Sequence, residues 1–343
     1  MLQEASRRGP EVNQARPEAT LADVSAEREG KRWRTWLPVP VANVICLVTH
    51  WLVSKGEPAM ETRSYFVFLF NFLAVSFVLA FAQLWLPRLR RKMRQMGPIF
   101  AAALLTLCAW EVITSGLRLL PLPYFPSPAA VFQSLINDRA LLFDSTWHSL
   151  VLLLGGYALG VVAGLISGIC IGWSTPVRYW GMPILKVIGP IPATAWIPLA
   201  MVVSPSAIFS ASGLIALAVW FPVTMLTASG ISNTRASYLD VARTLGAGRL
   251  YLIFRVAIPA ALPSIFIGLF MGLGASFLTL VVAETVGVKS GLGWYVAWAQ
   301  NYTEYGKVFA ALVIMAAFFS TIMTVLFKVR DRVLVWQKGV IKW

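Results

Sequence analysis

Two carboxylates stand where carboxylates are costly. Glu111 and Glu284 each lie in a long apolar run, and a charged group at the centre of a membrane helix costs about 2.5–3.5 kcal/mol. Such groups relay ions or protons, line a path, or tie helices together by hydrogen bonds. Arg118 follows Glu111 on the same helical face, two turns on and too far for a close pair. The rest of the chemical inventory is thin. His50 and His148 are the two histidines, and they lack the Cys or carboxylate company of a metal site. Cys46, Cys108 and Cys170 all sit in apolar runs without CxxC spacing and read as small buried hydrophobes. No G-x4-G-K-[ST] loop is present, and Gly287-Val-Lys289-Ser290 does not match one, so this route to ATP is closed. No catalytic cluster is visible and no metal site is expected. An enzyme therefore ranks last among the possible functions.

Spacing says more than residue type. Gly156, Gly160, Gly164, Gly168 and Gly172 recur every fourth residue, which places them along one stripe of a helix. Small residues at this spacing let two helix backbones approach closely, either within the fold or against a second copy. Pro190, Pro192 and Pro198, with Trp196 among them, interrupt a single apolar run. Proline frees backbone carbonyls, which survive in lipid only beside a cavity or another helix. Broken helices mark transport paths, so Pro192, Trp196, Pro198 and Glu284 are the candidate path residues. The segment from Asn233 to Pro263 reads as two short helices outside the membrane. Ser237 and Asp240 resemble a capping-box start, and Gly246 and Gly248 permit a sharp turn. Leu250, Phe254 and Ala257 form an apolar stripe, and Pro259 and Pro263 end the second helix. Small on one face and basic at its rim, this surface suits a groove on a partner.

The elements that carry these features must lie in lipid. Of the 343 residues, 58% are hydrophobic and 13% charged, whereas a soluble domain carries about 25% charge. A cytosolic enzyme, a disordered chain and a secreted disulfide scaffold are excluded. Apolar runs recur at 37–54, 65–86, 98–120, 147–173, 183–203, 213–231, 263–283 and 308–327. Most are near the length needed to cross a bilayer as a helix, 37–54 being short enough to read also as an interfacial or partly inserted helix, and none alternates as a strand would. The expected fold is an all-α integral membrane protein. A polar tail over residues 1–36 lacks the apolar content to fold. A two-span extension with its basic connector covers 37–97, and a six-span core covers 98–343. The net charge is +14. Most of the basic residues fall in connectors that eight spans would place on one side, together with both termini. The positive-inside rule makes that side the cytoplasm. No nucleic-acid-binding motif accompanies the charge. Trp33, Trp36, Trp85, Trp147 and Trp173 read as interfacial anchors.

The pattern Asp240-Val241-Ala242, Gly246, Val256-x-Ile258-Pro259 resembles the EAA motif of bacterial binding-protein-dependent ABC importer permeases, E-A-A-x3-G-x9-I-x-L-P. Asp replaces Glu, Val241 the first Ala, Val256 the Ile and Ile258 the Leu. Pro126-Ser127-Pro128 with Ala129-Ala130-Val131, the stretch Pro190–Pro198, and Ala283-Glu284 with Gly291-Leu-Gly293 look like the nitrate/sulfonate/taurine branch. Ser204-Pro205-Ser206 departs from the Trp-Phe-Gly-like passage usual in that region, which bears on the solute. The resemblance covers roughly residues 98–343 and leaves the two N-terminal spans without a counterpart.

The resemblance implies a six-span permease with a coupling helix over 237–259. Asp240, Val241, Ala242, Arg243, Gly246 and Pro259 would be the ATPase-coupling residues. It implies a second permease copy, two ATPase subunits that bind ATP and Mg, and a periplasmic or lipid-anchored solute-binding protein. This chain itself would bind no cofactor. The membrane would be the bacterial inner membrane, the motion alternating access, and the solute a small anion or zwitterion. The rival reading is a stand-alone secondary transporter or channel, for which Glu111 and Glu284 are the available relay groups.

Overall fold

The computed structural model describes residues 38–53, 59–83, 85–121 and 123–336, and the regular elements among them are all helical. The tail expected over 1–36 lies outside the described residues. The chain divides into two compact units, Met1–Leu119 and Leu120–Trp343.

The first unit contains α1 (Pro38–Val53), α2 (Ala59–Ala82) and α3 (Pro87–Glu111), the last continuing through a π-helical turn, Val112–Gly116. The basic stretch 87–97 was expected to be a connector between two domains. It is instead the opening of α3. Pro87 at the first turn presets the helix, and Arg and Lys are good helix formers. The second unit therefore begins at Leu120 and not at residue 98. Polar side chains tie α1 to its neighbours, as they do where lipid offers no other partner. Asn43 donates to the Leu69 carbonyl at 3.3 Å and Cys46 to the Leu104 carbonyl at 3.1 Å. Cys108 donates to Thr49 Oγ1 at 3.3 Å, and His50 pairs with Glu111. The expectation of three buried cysteines holds for Cys46 and Cys108, while Cys170 is exposed.

The second unit contains α4 (Pro128–Asn137), α5 (Arg139–Trp173), α6 (Thr175–Ile188), a 3-10 turn (Ala193–Trp196), α7 (Ile197–Val203) and α8 (Ala207–Ser232). There follow α9 (Ala236–Thr244), α10 (Arg249–Tyr251), a π-helical turn (Leu252–Ala257), α11 (Ile258–Val286), α12 (Leu292–Asn301) and α13 (Tyr305–Val333). Ser127 and Ser206 cap α4 and α8 by accepting the N–H of Ala130 and Phe209. α8 packs against both α5 and α11, and its Val219 and Val223 are fully buried.

Among the described residues, six helical stretches are long and apolar enough to cross a membrane: Arg63–Ala82, Gln95–Gly116, Arg139–Trp173, Ala207–Ser232, Arg249–Val286 and Tyr305–Val333. α1 is shorter, with 16 residues. The run 183–203, expected as a single span, is two helical pieces bent by 84°. Pro190 and Pro192 have no N–H to give and disfavour helix in the residue before them, so the chain breaks between Ile188 and Ala193.

The glycine stripe is spent inside the unit. A Cβ on Gly156 would stand 2.7 Å from Cβ of Ile215, one on Gly164 2.8 Å from Cβ of Val223, and one on Gly168 2.6 Å from Cβ of Thr227. Gly160 and Gly172 likewise face Val219 and Ile231. All five partners lie on α8, so the stripe is the α5–α8 seam.

Candidate functional site

The elbow between α8 and α11 is built from a short helix and its terminator. α9 starts after Arg235, which supplies no side-chain cap. The capping box expected from Ser237 and Asp240 is not formed. Asp240 instead pairs with Arg243 at 3.0 Å on the exposed surface. At the other end the Gly246 N–H donates to the Arg243 carbonyl at 2.9 Å and the Ala247 N–H to the Ala242 carbonyl at 3.0 Å. This is the paired bonding of a Schellman terminator, which needs a left-handed residue after the cap. Gly246 supplies it with φ +84°, and no neighbouring atom lies within 4 Å of where its Cβ would be.

Beyond the turn the chain does not stop at Pro259. Pro259 falls in the first turn of α11, where its missing N–H is harmless, and Pro263 lies inside that helix. The π turn joins α10 to α11 in one helical stretch, Arg249–Val286. The stripe expected over Leu250, Phe254 and Ala257 splits in consequence. Leu252 and Ala257 face inward, while Leu250 and Phe254 are 71% and 61% exposed. Val241 at 60% and Leu245 at 81% are also uncovered. Arg235, Arg243, Arg249 and Arg255 are exposed on the same segment. An apolar centre with a charged rim has the anatomy of a protein-binding patch.

A cavity of about 340 Å³ opens at the broken helix. Its walls are the break from Ile188 to Thr194, α8 at Phe221 and Pro222, and α11 at Met271 and Thr279. Pro192 is in the wall; Trp196, Pro198 and Glu284 are not among the lining residues. The Phe221 ring occupies the space where Gly189 would carry a Cβ, at 2.0 Å, so only glycine lets the ring lie across the break. Thr194 and Thr279 bring hydroxyls, and among the described residues no lysine, arginine or histidine lines the cavity.

Glu284 is buried at 1% exposure and is hydrogen-bonded on both oxygens. Its Oε1 accepts the Ser149 hydroxyl at 2.7 Å and its Oε2 the Gly293 N–H at 2.8 Å. Ser149 Oγ accepts the Leu292 N–H at 2.8 Å. Helix α12 thus begins on acceptors from α11 and α5, which satisfy N–H groups its own backbone leaves open. Gly291, with φ +110°, has Glu284 Oε1 at 2.3 Å from its Cβ position. Nearby, Tyr295 donates to Asp138 at 2.7 Å. Asp138 lies 3.4 Å from the Lys307 ammonium, which also pairs with Glu304 at 2.7 Å. Burial and then Asp138 raise the Tyr295 hydroxyl well above the usual phenol range, so it remains a donor. Sequence reasoning passed over Ser149, whose partner lies 135 residues away, and Tyr295, which no local pattern links to Asp138.

The family match falls within this second unit. Residues 160–334 match the family described as binding-protein-dependent transport system inner membrane component. The taurine transport system permease protein TauC of Escherichia coli is 32% identical over 222 residues, 63% of this chain and 80% of the relative. A Bacillus subtilis protein, SsuC, named as an aliphatic sulfonates transport permease, is 34% identical over 210 residues, 60% of this chain and 75% of the relative. The inward-facing MetNI methionine ABC transporter superposes with TM-score 0.50 at 17% identity, over 57% of this chain and 98% of that one, which supports the fold. With the elbow and the helical core placed as described, this chain belongs to the family of binding-protein-dependent transport system inner membrane components, the permease subunits of ABC importers.

Proposed function

We propose that this permease moves a small sulfonated or related anionic or zwitterionic solute across the bacterial inner membrane, and that its elbow is the docking surface for a separate ATPase. The solute class follows its relatives, which are named for taurine and aliphatic sulfonates. The carrying observation is the elbow. Val241, Leu245, Leu250 and Phe254 are exposed together, beside a glycine turn with open space in front of it. An ATPase groove would receive Val241 and the Gly246 turn, with Arg243 at its edge, while Asp240, Ala242 and Pro259 hold the shape behind them. The assembly has two ATPase subunits carrying ATP and Mg, a second permease copy and a periplasmic or lipid-anchored receptor. Both termini and the elbow lie in the cytoplasm, where the positive-inside rule puts the basic connectors. Alternating access works through the broken helix: movement of α9 shifts the walls around Gly189–Pro192 and opens the cavity to one side at a time.

The test is retention of the ATPase on the purified permease. Leu245→Asp changes an exposed side chain and leaves the fold intact. It is expected to weaken retention by tenfold or more, since a charge buried unpaired at a contact centre costs about 2–5 kcal/mol. Gly246→Trp fills the gap in front of the turn and does the same. Unchanged retention in both variants, or solute uptake by the permease alone in liposomes, would refute the docking role.

A further inference from the structure

α5 ends at Trp173 and α6 starts at Thr175, so the helix is broken at Ser174, whose backbone is extended. The last carbonyls of a helix lack N–H partners of their own. Arg178, one turn into α6, turns back to supply them. Its Nε donates to the Ile171 carbonyl at 3.1 Å and its Nη2 to the Gly172 carbonyl. The same Nη2 donates to Ser232 Oγ at 2.6 Å, and Ser232 is the last residue of α8. Ser232 in turn donates to the Ala228 carbonyl at 2.8 Å. One guanidinium therefore joins the ends of α5 and α8 to the start of α6.

A cap alone would explain the two carbonyl contacts. It does not explain the third contact or its position. Ser232 is followed by Asn233, Thr234 and Arg235, and then by α9, so Arg178 holds the root of the elbow. At its other end α6 delivers Ile188 and Gly189 into the cavity wall. Between these ends α6 rests on one cluster, Leu185 with Ile171 of α5 and Ala228 of α8, and its other residues are exposed or half-buried. A helix held by a single cluster can tilt about it, so the ties at its ends help set its direction.

We infer that Arg178 is a positioning residue: it carries displacement of α9 through Ser232 into α6, and so to the break at Gly189–Pro192. The inference rests on the docking role of the elbow. Arg suits the task because a planar fork holds separated acceptors in fixed directions, where a lysine ammonium acts as a point.

The experiment uses the full permease assembled with its ATPase in lipid nanodiscs. Thr194→Cys, in a Cys170→Ser background, reports on the cavity wall through its labelling rate with a water-soluble maleimide. Rates are compared without nucleotide and with ATP plus vanadate. With Arg178 intact, nucleotide changes the rate. Arg178→Ala is expected to shrink that change by about fivefold or more, the low end of ordinary site-to-site coupling. Arg178→Lys should recover part of it, and Ser232→Ala, which keeps both carbonyl contacts, should lose most of it. The ATPase stays bound and the thermal midpoint moves little in all three. An undiminished response in Arg178→Ala or Ser232→Ala overturns the inference, as does loss of ATPase retention in either. A wild-type complex that binds its ATPase yet shows no nucleotide response removes the elbow's role and this inference with it; that result is distinguishable because it appears without any change at Arg178.

Discussion

Gly160→Ala tests the α5–α8 seam at its tightest point. The added methyl would sit 2.5 Å from the Ala216 carbonyl oxygen and 2.7 Å from Val219 Cβ. Both are anchored in the backbone of α8, so no rotamer change can make room. The helices must part locally by roughly 0.5–1 Å, a gap that forfeits a quarter to a half of each dispersion contact it touches. In lipid that loss has no compensation from exclusion of water, because the helix faces are as apolar as the solvent. Overpacking of this kind costs about 1–3 kcal/mol, and the better helix propensity of alanine returns up to about 1 kcal/mol. The net expectation is a loss of about 1–2 kcal/mol, or roughly 2–8 °C in thermal midpoint. The same substitution at Gly155 and Gly274, which have open space in front of them, leaves only the propensity gain. Midpoints measured by size-exclusion recovery after heating in detergent would compare the three. Equal midpoints for Gly160→Ala and Gly155→Ala would refute the close seam.

Four further outcomes follow from the same geometry. Gly246→Ala should fold, lose about 1 kcal/mol from the left-handed backbone, and retain the ATPase better than Gly246→Trp in a pull-down. Glu284→Ala removes two hydrogen bonds at a buried site and leaves the Ser149 hydroxyl and the Gly293 N–H unpaired, which should cost about 2–5 kcal/mol, read as a lowered midpoint and as faster hydrogen exchange at the start of α12. Tyr295→Phe should cost about 1 kcal/mol. Because burial and Asp138 raise the hydroxyl, its contribution is full below the ordinary phenol value of about 10 and fades only at higher pH; a stability difference that changed between pH 6 and 8 would contradict this. Gly189→Ala drives the Phe221 ring off the break and into the cavity, so transport should fall more than stability, measured as uptake against thermal midpoint.

What was legible in the sequence was what the bilayer imposes locally. A span must be apolar along its length, so the runs 147–173, 213–231, 263–283 and 308–327 all appear as helices, each reaching farther at one or both ends than its apolar part. Gly246 was legible because its backbone conformation demands glycine wherever it occurs. The glycine stripe announced a close approach, but a small face says nothing about which helix fills it; α8 and a second copy were equal on that ground. Partners across the chain were invisible. Glu111 was compared with Arg118, seven residues away, whereas its partner is His50, 61 positions earlier on another helix. Glu284 was left between lining a path and fixing a neighbouring helix. Its oxygens are taken up by Ser149 and Gly293, partners that only the tertiary fold reveals.

The His50–Glu111 pair makes the place of α3 testable by a change of sign. In the full chain, Glu111→Leu removes one partner of a buried pair, which should destabilise by about 1–3 kcal/mol. Deleting residues 1–94 removes α1 and α2 and leaves α3 with a bare carboxylate in a stretch apolar enough to span. A charge at such a position costs about 2.5–3.5 kcal/mol. In that truncated background Glu111→Leu should therefore stabilise. The four proteins form a cycle whose coupling energy is the worth of the pair, read from midpoints in matched lipid nanodiscs. If Glu111→Leu has the same sign in both backgrounds, Glu111 is satisfied without α1. The first unit would then have no chemical reason to end after α3 instead of before it. If the sign reverses, α1 is bound to α3 by a polar contact that lipid cannot replace. The N-terminal helices would then be needed by the carboxylate they cover, whatever else they do.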